Sequence, residues 1–214
     1  LTSLSSYTGQ YRELNPLGLI YSSELNNPLE RQHIHMLTNE LETEGLSYTM
    51  VPFLIKKQTS SYTQFEVEIV REDDVNSLAV AQGHPLIDLN SGEAMFIPYS
   101  ENAISILDNR EIQTVLEESN IPISVKGVYP KMLFPSMILG ANVIVVSDQD
   151  YALIDEPLQG LSITDSMFNF YAFHIPEWER TKSIGLEIDS QVTDSIYQNK
   201  ASELPFFFEN PGLN

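Results

Sequence analysis

The chain has 214 residues, of which 42% are hydrophobic and 10% aromatic, enough for one good-sized domain or two small lobes with a core. Its 30 acidic and 11 basic side chains give a formal net charge of -19. This charge disfavours nucleic acid and an anionic bilayer as partners and favours a cationic ligand, although it could equally serve solubility alone. There is no cysteine, which excludes disulfides and thiolate metal sites.

The chain begins at Leu1, has no signal peptide and contains no run of the roughly 20 apolar residues that would cross a bilayer. We therefore interpret it as a segment of a longer protein. Polar residues 1–15 form a predicted lead-in, residues 16–200 a folded domain and residues 201–214 a lead-out.

The folded region opens with a predicted strand and helix. Leu17 to Tyr21 is an apolar run, which predicts a strand buried on both faces. Asn27 and Pro28 suit the N-cap and first position of a helix that Gly45 would end. An apolar stripe recurs every four residues along this helix and consists of Leu29, His33, Leu37 and Leu41.

In the middle of the chain, the sequence pattern predicts two hairpins and a helix. Residues 46–57 and 62–70 read as the strands of a projecting hairpin, because apolar and polar side chains alternate in the second one. The acidic run at Glu72 predicts the start of a short helix. Residues 112–128, interrupted at Asn120, are interpreted as a second hairpin.

The remaining elements complete a mixed sheet. We predict strands at 92–98, 142–146 and 168–175, with a short helix at 148–154. A final helix is predicted from Pro176 to about residue 200. Its buried face would consist of Trp178, Ile184, Ile188, Val192 and Ile196. The order of elements predicts an α+β fold: a mixed β-sheet with helices packed on one face and a projecting lobe rich in β-hairpins.

The residues that could carry metal chemistry are few. His33 and His35 are two positions apart, so on a helix their rings point in different directions and cannot share a metal. We interpret His33 as a core residue and His35 as a surface residue. Among hard oxygen ligands, the candidates for calcium are Asp73, Asp74, Asp148 and Asp150. We predict no bound metal and no cofactor.

Motifs for covalent or nucleotide chemistry are missing from the sequence. No G-x-S-x-G, P-loop or G-x-G-x-x-G occurs, and Ser147 or Asp148 is most simply the N-cap of the helix that follows. We predict that the chain has no catalytic residues and is not an enzyme.

Two segments are candidates for ligand contact. The run from Met132 to Gly140 is apolar and interrupted by Pro135, so it either packs into the core or offers an adaptable apolar surface. The Asp155–Ser166 segment contains Pro157 and Gly160 and reads as an irregular loop. The candidate ligand-binding residues are Met132, Leu133, Phe134, Met137, Asp155 and Glu156.

A family resemblance covers most of the chain. Ser77–Val80 leading to Ser91–Phe96, together with Gly140–Tyr151, resembles the extracytoplasmic domain of bacitracin-resistance (Bce-type) ABC transporter permeases, in the FtsX-like superfamily. In that family a valine-rich strand ends at a Ser-Asp pair that opens a short helix, and a Gly-Glu-Ala element opens a strand upstream. The excess of acidic over basic residues favours the bacitracin-resistance permeases over the lipoprotein-release and cell-division permeases of the same superfamily.

This resemblance implies a domain outside the cell membrane, with residues 1–15 and 200–214 continuing into membrane helices. The full-length permease would pair with a cytoplasmic ATPase subunit and a membrane histidine kinase. Its ligand would be a cationic or lipid-carrier-associated antimicrobial peptide, and the system would confer resistance to antibiotics that target the cell wall. The alternative interpretations are a secreted hydrolase and a stand-alone substrate-binding or adhesion module.

Overall fold

A computed structural model describes residues 17–60, 65–98, 109–131, 133, 142–154, 167–181, 184 and 206–209. The strands are β1 (Leu19–Glu24), β2 (Thr49–Thr59), β3 (Glu66–Arg71), β4 (Glu93–Ile97), β5 (Ser124–Val128), β6 (Val143–Val146), β7 (Met167–His174) and β8 (Phe206–Glu209). The helices are α1 (Glu30–Thr43), α2 (Glu72–Gln82), α3 (Asn109–Glu118) and α4 (Asp148–Leu153), and Trp178–Arg180 forms a 3₁₀ turn. This confirms the predicted α+β class. No helix among the described residues is long and apolar enough to span a membrane.

The chain divides into two compact units. The terminal unit consists of Leu1–Pro52 and Phe168–Asn214, and the central unit is Phe53–Met167. Strand β2 begins in the terminal unit and ends in the central one. Each unit therefore has its own strands, helices and apolar cluster.

The core of the terminal unit lies between α1 and its strands. The strand order is β2-β7-β1-β8, with β1 antiparallel to both neighbours. Leu37 and Leu41 of α1 pack in one cluster with Tyr21 and Phe173. Leu19, Ile20 and Tyr21 are all fully buried, which confirms that both faces of β1 are covered.

Helix α1 ends as predicted but begins later. Gly45 has a φ of +67°, a conformation that costs little only for a residue without Cβ, and it follows the last turn. At the other end, the Asn27 side chain accepts a hydrogen bond from the Leu29 N–H at 2.9 Å. Asn27 thus closes a turn before the helix, and Leu29 rather than Asn27 occupies the cap position.

The central unit has a mixed sheet with strand order β5-β4-β6-β3-β2. The pairs β3–β6 and β4–β5 are parallel, whereas β2–β3 and β4–β6 are antiparallel. Ile112, Val115 and Leu116 of α3 pack on one face of this sheet, in one cluster with Phe96 and Ile144.

The hairpin predicted over residues 46–70 is present, with Lys56 paired to Ile69 across antiparallel β2 and β3. Its paired part does not project, because β3 is also hydrogen-bonded along its other edge to β6. The paired part of this hairpin therefore belongs to the sheet, with β3 between β2 and β6. Residues 61–64 lie outside the described part of the chain.

The second predicted hairpin, over residues 112–128, is wrong. Residues 109–118 form helix α3, and only 124–128 form a strand. The buried side chains Ile112, Val115 and Leu116 follow helical spacing, and the prediction missed this period. Asn120, where the prediction broke the hairpin, has a φ of +54° and lies in the turn between helix and strand.

The end of the chain also differs from the prediction. After Pro176 the chain forms a 3₁₀ turn, in which the Thr181 hydroxyl donates to the Trp178 carbonyl at 2.6 Å, so the predicted helix does not begin at Pro176. Ile184, within the predicted helix, is α-helical. Trp178 and Ile184 are buried as predicted. Ile188, Val192 and Ile196 lie outside the described residues. Strand β8 pairs with β1, so residues 168–175 are not the last strand and the predicted lead-out contains a strand.

Candidate functional site

The two segments that carry the family resemblance meet at a buried carboxylate. Asp150 accepts hydrogen bonds from Ser91 Oγ at 2.8 Å and from the Gly92 N–H at 2.7 Å. Ser147 Oγ donates a third at 2.8 Å, and the same oxygen caps α4 by accepting the Asp150 N–H at 3.2 Å. This confirms Ser147 as an N-cap. The loop before β4 is thereby tied to the helix that follows β6.

The environment of Asp150 indicates a structural role. Burial by itself would raise the pKa of this carboxyl, but the hydrogen bonds from Ser91, Gly92 and Ser147 outweigh burial and lower it. A carboxylate held charged by three donors has little capacity left for a ligand. We therefore call Asp150 and its three donors the Asp150 junction and assign it to folding.

A second acidic group lies where α2 and α4 begin. The Arg71 guanidinium lies 2.6 Å from Asp74 and 3.8 Å from Asp148. A hydrogen bond and the charge of Asp148 raise the pKa of Asp73. Burial, followed by nearby carboxylates, raises the pKa of Glu72. These five residues, named here the Arg71 cluster, carry more negative charge than one guanidinium neutralises.

The Arg71 cluster contains three of the four carboxylates that the sequence suggested as calcium ligands. The fourth, Asp150, is committed to its own junction. Within the described ranges, no three His, Asp or Glu side chains are grouped so as to hold a metal ion.

A small pocket lies in the central unit, between the α3–β5 turn and the end of α4. Its volume is about 180 Å³, below the roughly 300–1,000 Å³ typical of sites for drug-sized ligands. Apolar side chains form much of its wall, and Gln58 and Ser119 are among its polar lining residues. The lining residues are Gln58, Ser119, Asn120, Ile121, Pro122, Ile123, Asp150, Leu153 and Ile154.

Strand β2 supplies the polar base of this region. Lys56 and Gln58 are two residues apart, so both point to the same face, and both are buried. The Lys56 ammonium donates to the Tyr151 carbonyl at 2.8 Å and lies 4.0 Å from the centre of the Tyr151 ring. Lys56 thus fixes the position of α4. The end of this helix places Leu153 and the following residue, Ile154, in the pocket lining.

The terminal unit contains a polar cluster of its own around Glu30. One carboxylate oxygen accepts from Ser23 at 2.5 Å and Asn169 at 2.6 Å, and the other accepts from the Tyr171 hydroxyl at 2.7 Å. Burial, together with Glu30, raises the pKa of Tyr171. The cluster joins the first residue of α1 to β1 and β7. Sequence reasoning missed it, because Glu30 and its partner Tyr171 are 141 positions apart in the chain.

The two histidines of α1 are placed as predicted. His33 is fully buried, its Nδ1 lies 2.8 Å from the Tyr21 hydroxyl, and burial lowers its pKa. His35 is exposed, and its Nε2 lies 3.3 Å from the Asn39 amide nitrogen.

The predicted ligand-contact residues fall largely outside the described chain. Of the six, only Leu133 is described, and it is 2% exposed, in line with the interpretation that this segment packs into the core. The other five are Met132, Phe134, Met137, Asp155 and Glu156. Asp155 directly follows Ile154, which lines the pocket. The pocket residues Gln58 and Ser119 were not predicted, because neither belongs to a recognisable motif.

Comparisons with known proteins add little. No protein-family model matches the chain, and no curated protein matches it in sequence. Among solved structures, the chain is similar to a crystal structure of a Bacillus anthracis protein that its name describes as a lipoprotein. The two share 11% identity and a TM-score of 0.46 over 89% of this chain and 95% of the other.

Proposed function

We propose that this chain is the extracytoplasmic sensing domain of an ABC transporter permease of the bacitracin-resistance type. In this proposal it binds cationic, amphipathic antimicrobial peptides outside the cell membrane. The full-length permease then signals to a histidine kinase and, with its ATPase subunit, confers resistance to the antibiotic. We infer the class of ligand from the surplus negative charge of the Arg71 cluster.

The arrangement of the acids supports a cationic ligand. Asp148 is 44% exposed, and its charge raises the pKa values of Asp73 and Glu72, so these carboxylates repel one another in the free protein. A peptide ammonium or guanidinium group would relieve that repulsion at solvent-accessible positions. The overall charge of -19 would steer such a peptide toward the domain from a distance.

The Asp150 junction supports the family part of the proposal. The resemblance rests on segments around Ser91 and Ser147, and the junction bonds these segments to each other. Strands β4 and β6, which the segments contain, are hydrogen-bonded neighbours. Residues that interact in this way serve the fold, which is consistent with a motif that carries no chemistry.

Binding kinetics test the ligand class. The immobilised chain is exposed to a cationic amphipathic peptide and to a neutral analogue of the same length, at 0.01 M and 0.15 M salt. The Debye length shrinks from about 30 Å to about 8 Å between these conditions, so association of the cationic peptide should slow steeply while its dissociation changes little. Equal binding of both peptides, without salt dependence, would contradict the proposal.

A matched pair of variants assigns the effect to the Arg71 cluster. Asp73→Asn combined with Asp148→Asn should slow association of the cationic peptide. Glu111→Gln combined with Glu117→Gln removes the same charge from exposed positions on α3 and should have a smaller effect. If both pairs slow association equally, overall charge rather than this cluster attracts the peptide.

A further inference from the structure

Two residues that line the pocket of the central unit each have a buried side-chain oxygen whose hydrogen-bonding capacity is unused among the described residues. Gln58 Oε1 and Ser119 Oγ are both buried and have no hydrogen-bond partner among the described residues. Gln58 is only 5% exposed. Buried polar atoms are nearly always paired, because an unpaired one loses its bond to water without replacement. Two residues with such atoms in the lining of one pocket point to a group that arrives from outside.

We propose that this pocket binds the ring of a tryptophan or tyrosine side chain from a peptide ligand, with its N–H or O–H donated to Gln58 Oε1. The identity of the ligand as a peptide rests on the function proposed above. The pocket itself, with its unused acceptor, is observed independently of that function.

The lining selects the chemistry of the ligand. Ile121, Pro122, Ile123, Leu153 and Ile154 offer an apolar wall, so the bound group needs an apolar body. A carboxamide oxygen only accepts hydrogen bonds, so the group also needs a donor. Indole and phenol are the side chains that combine a large apolar ring with one neutral donor.

A nearby charge disfavours an anionic ligand, because the Asp150 carboxylate contributes to the lining and would repel it. A neutral donor meets no such repulsion. The volume of about 180 Å³ suits a single side chain rather than a folded ligand.

The test uses three small probes on the whole chain, followed by the shifts of the Gln58 side-chain amide in NMR titrations. N-acetyltryptophanamide and N-acetyltyrosinamide have a ring donor, whereas N-acetylphenylalaninamide has a ring without one. The first two should bind about 5–10-fold more tightly than the third, which corresponds to one neutral hydrogen bond. Absence of shifts at Gln58 with any probe overturns the proposal, as does equal binding of all three.

Two variants connect the selectivity to the pocket. Gln58→Met keeps the length of the side chain but removes the acceptor, so it should abolish the preference for the donor-bearing rings while raising the melting temperature of the free protein. Ser119→Ala should weaken binding of the same probes less strongly. Gln82→Met alters another buried glutamine, at the end of α2, and should leave the preference intact. Preference retained in Gln58→Met would overturn the assignment of Gln58.

The outcomes separate this inference from the proposed function. If the cationic peptide binds with strong salt dependence but no probe reaches Gln58, only the pocket assignment fails. If the aromatic probes bind but the cationic peptide does not, the pocket stands and the proposed peptide class fails.

Discussion

In both units a carboxylate in the first turn of a helix anchors that helix, but the hydrogen-bond partners of the carboxylate differ. In the terminal unit Glu30 accepts hydrogen bonds from side chains of β1 and β7. In the central unit Asp150 accepts a backbone N–H and two hydroxyls. Both positions also benefit from the positive end of the helix dipole. In each unit a carboxylate and its three donors fasten a helix to neighbouring elements.

The difference between the units lies in what surrounds the carboxylate. Glu30 lies next to hydroxyl and amide side chains, and its carboxylate oxygens accept their hydrogen bonds. Beside Asp150, by contrast, lies a pocket where Gln58 and Ser119 have unused capacity. In the central unit the buried Asp150 carboxylate is therefore a structural joint, whereas the oxygens of Gln58 and Ser119, which have no partner among the described residues, mark the candidate site.

Truncating the core of each unit should give the largest effects. Leu37→Ala in the terminal unit and Leu116→Ala in the central unit remove fully buried side chains, so each should lower the free energy of unfolding by about 2–5 kcal/mol. Denaturant titration measures this change. Leu86→Ala, at a position that is 62% exposed, is the control and should change it by less than about 0.5 kcal/mol. A loss at Leu37 no greater than at Leu86 would remove α1 from the core.

Removing the two carboxylates should have intermediate effects. Glu30→Ala and Asp150→Ala each leave three donors without their acceptor, which should cost about 1–3 kcal/mol in unfolding free energy. Glu117→Ala, at an exposed position on α3, should be nearly neutral. If Glu30 or Asp150 proves as dispensable as Glu117, the comparison fails for the unit that contains that carboxylate.

Lowering the pH should give the smallest of the expected changes in stability. It should also separate the contribution of the terminal unit from that of the central unit. Burial lowers the pKa of His33, so from pH 6.5 downward the unfolded state takes up the proton more readily than the folded state. The stability that His33 contributes is fully present above pH 6.5. It is lost as the pH falls toward the pKa of His33 in the folded state. Asp150, whose pKa is lowered from 3.8, contributes a loss only in a more acidic range.

Unfolding free energies of wild type and His33→Asn, measured from pH 7.5 to pH 5, test this order. The wild type should lose more stability over that range than the variant does. Asp150→Asn should follow the wild-type curve above pH 5. Parallel curves for wild type and His33→Asn would show that His33 does not titrate differently in the folded state.

The sequence predicted those parts of the fold that depend on local patterns. The end of α1 at Gly45, the cap at Ser147 and the apolar run of β6 follow from a few neighbouring residues, and all three are correct. Helix α3 was missed because its apolar residues were read with the period of a strand. The placement of the hairpin inside the sheet depends on pairing with β6, which lies more than 70 residues away and leaves no local trace.

The candidate pocket was beyond sequence reasoning for a related reason. Gln58 lies in a strand and Ser119 follows a helix, and neither residue type is unusual at its position. What distinguishes them is that Gln58 Oε1 and Ser119 Oγ are buried without a hydrogen-bond partner in the part of the chain that the structure describes, a property of the packed structure. The predicted contacts at Phe134 and Asp155 remain predictions.

The division of the chain into units has a consequence for how the protein is made. Both neighbours of β1 in its sheet, β7 and β8, follow the central unit in the sequence. At about 5–20 residues per second, synthesis leaves Leu19, Ile20 and Tyr21 without their strand partners for roughly 10–30 s, while the continuous central unit emerges and can fold. During that interval the nascent chain presents a hydrophobic strand with two open edges, a natural target for chaperones and the first place where aggregation would begin.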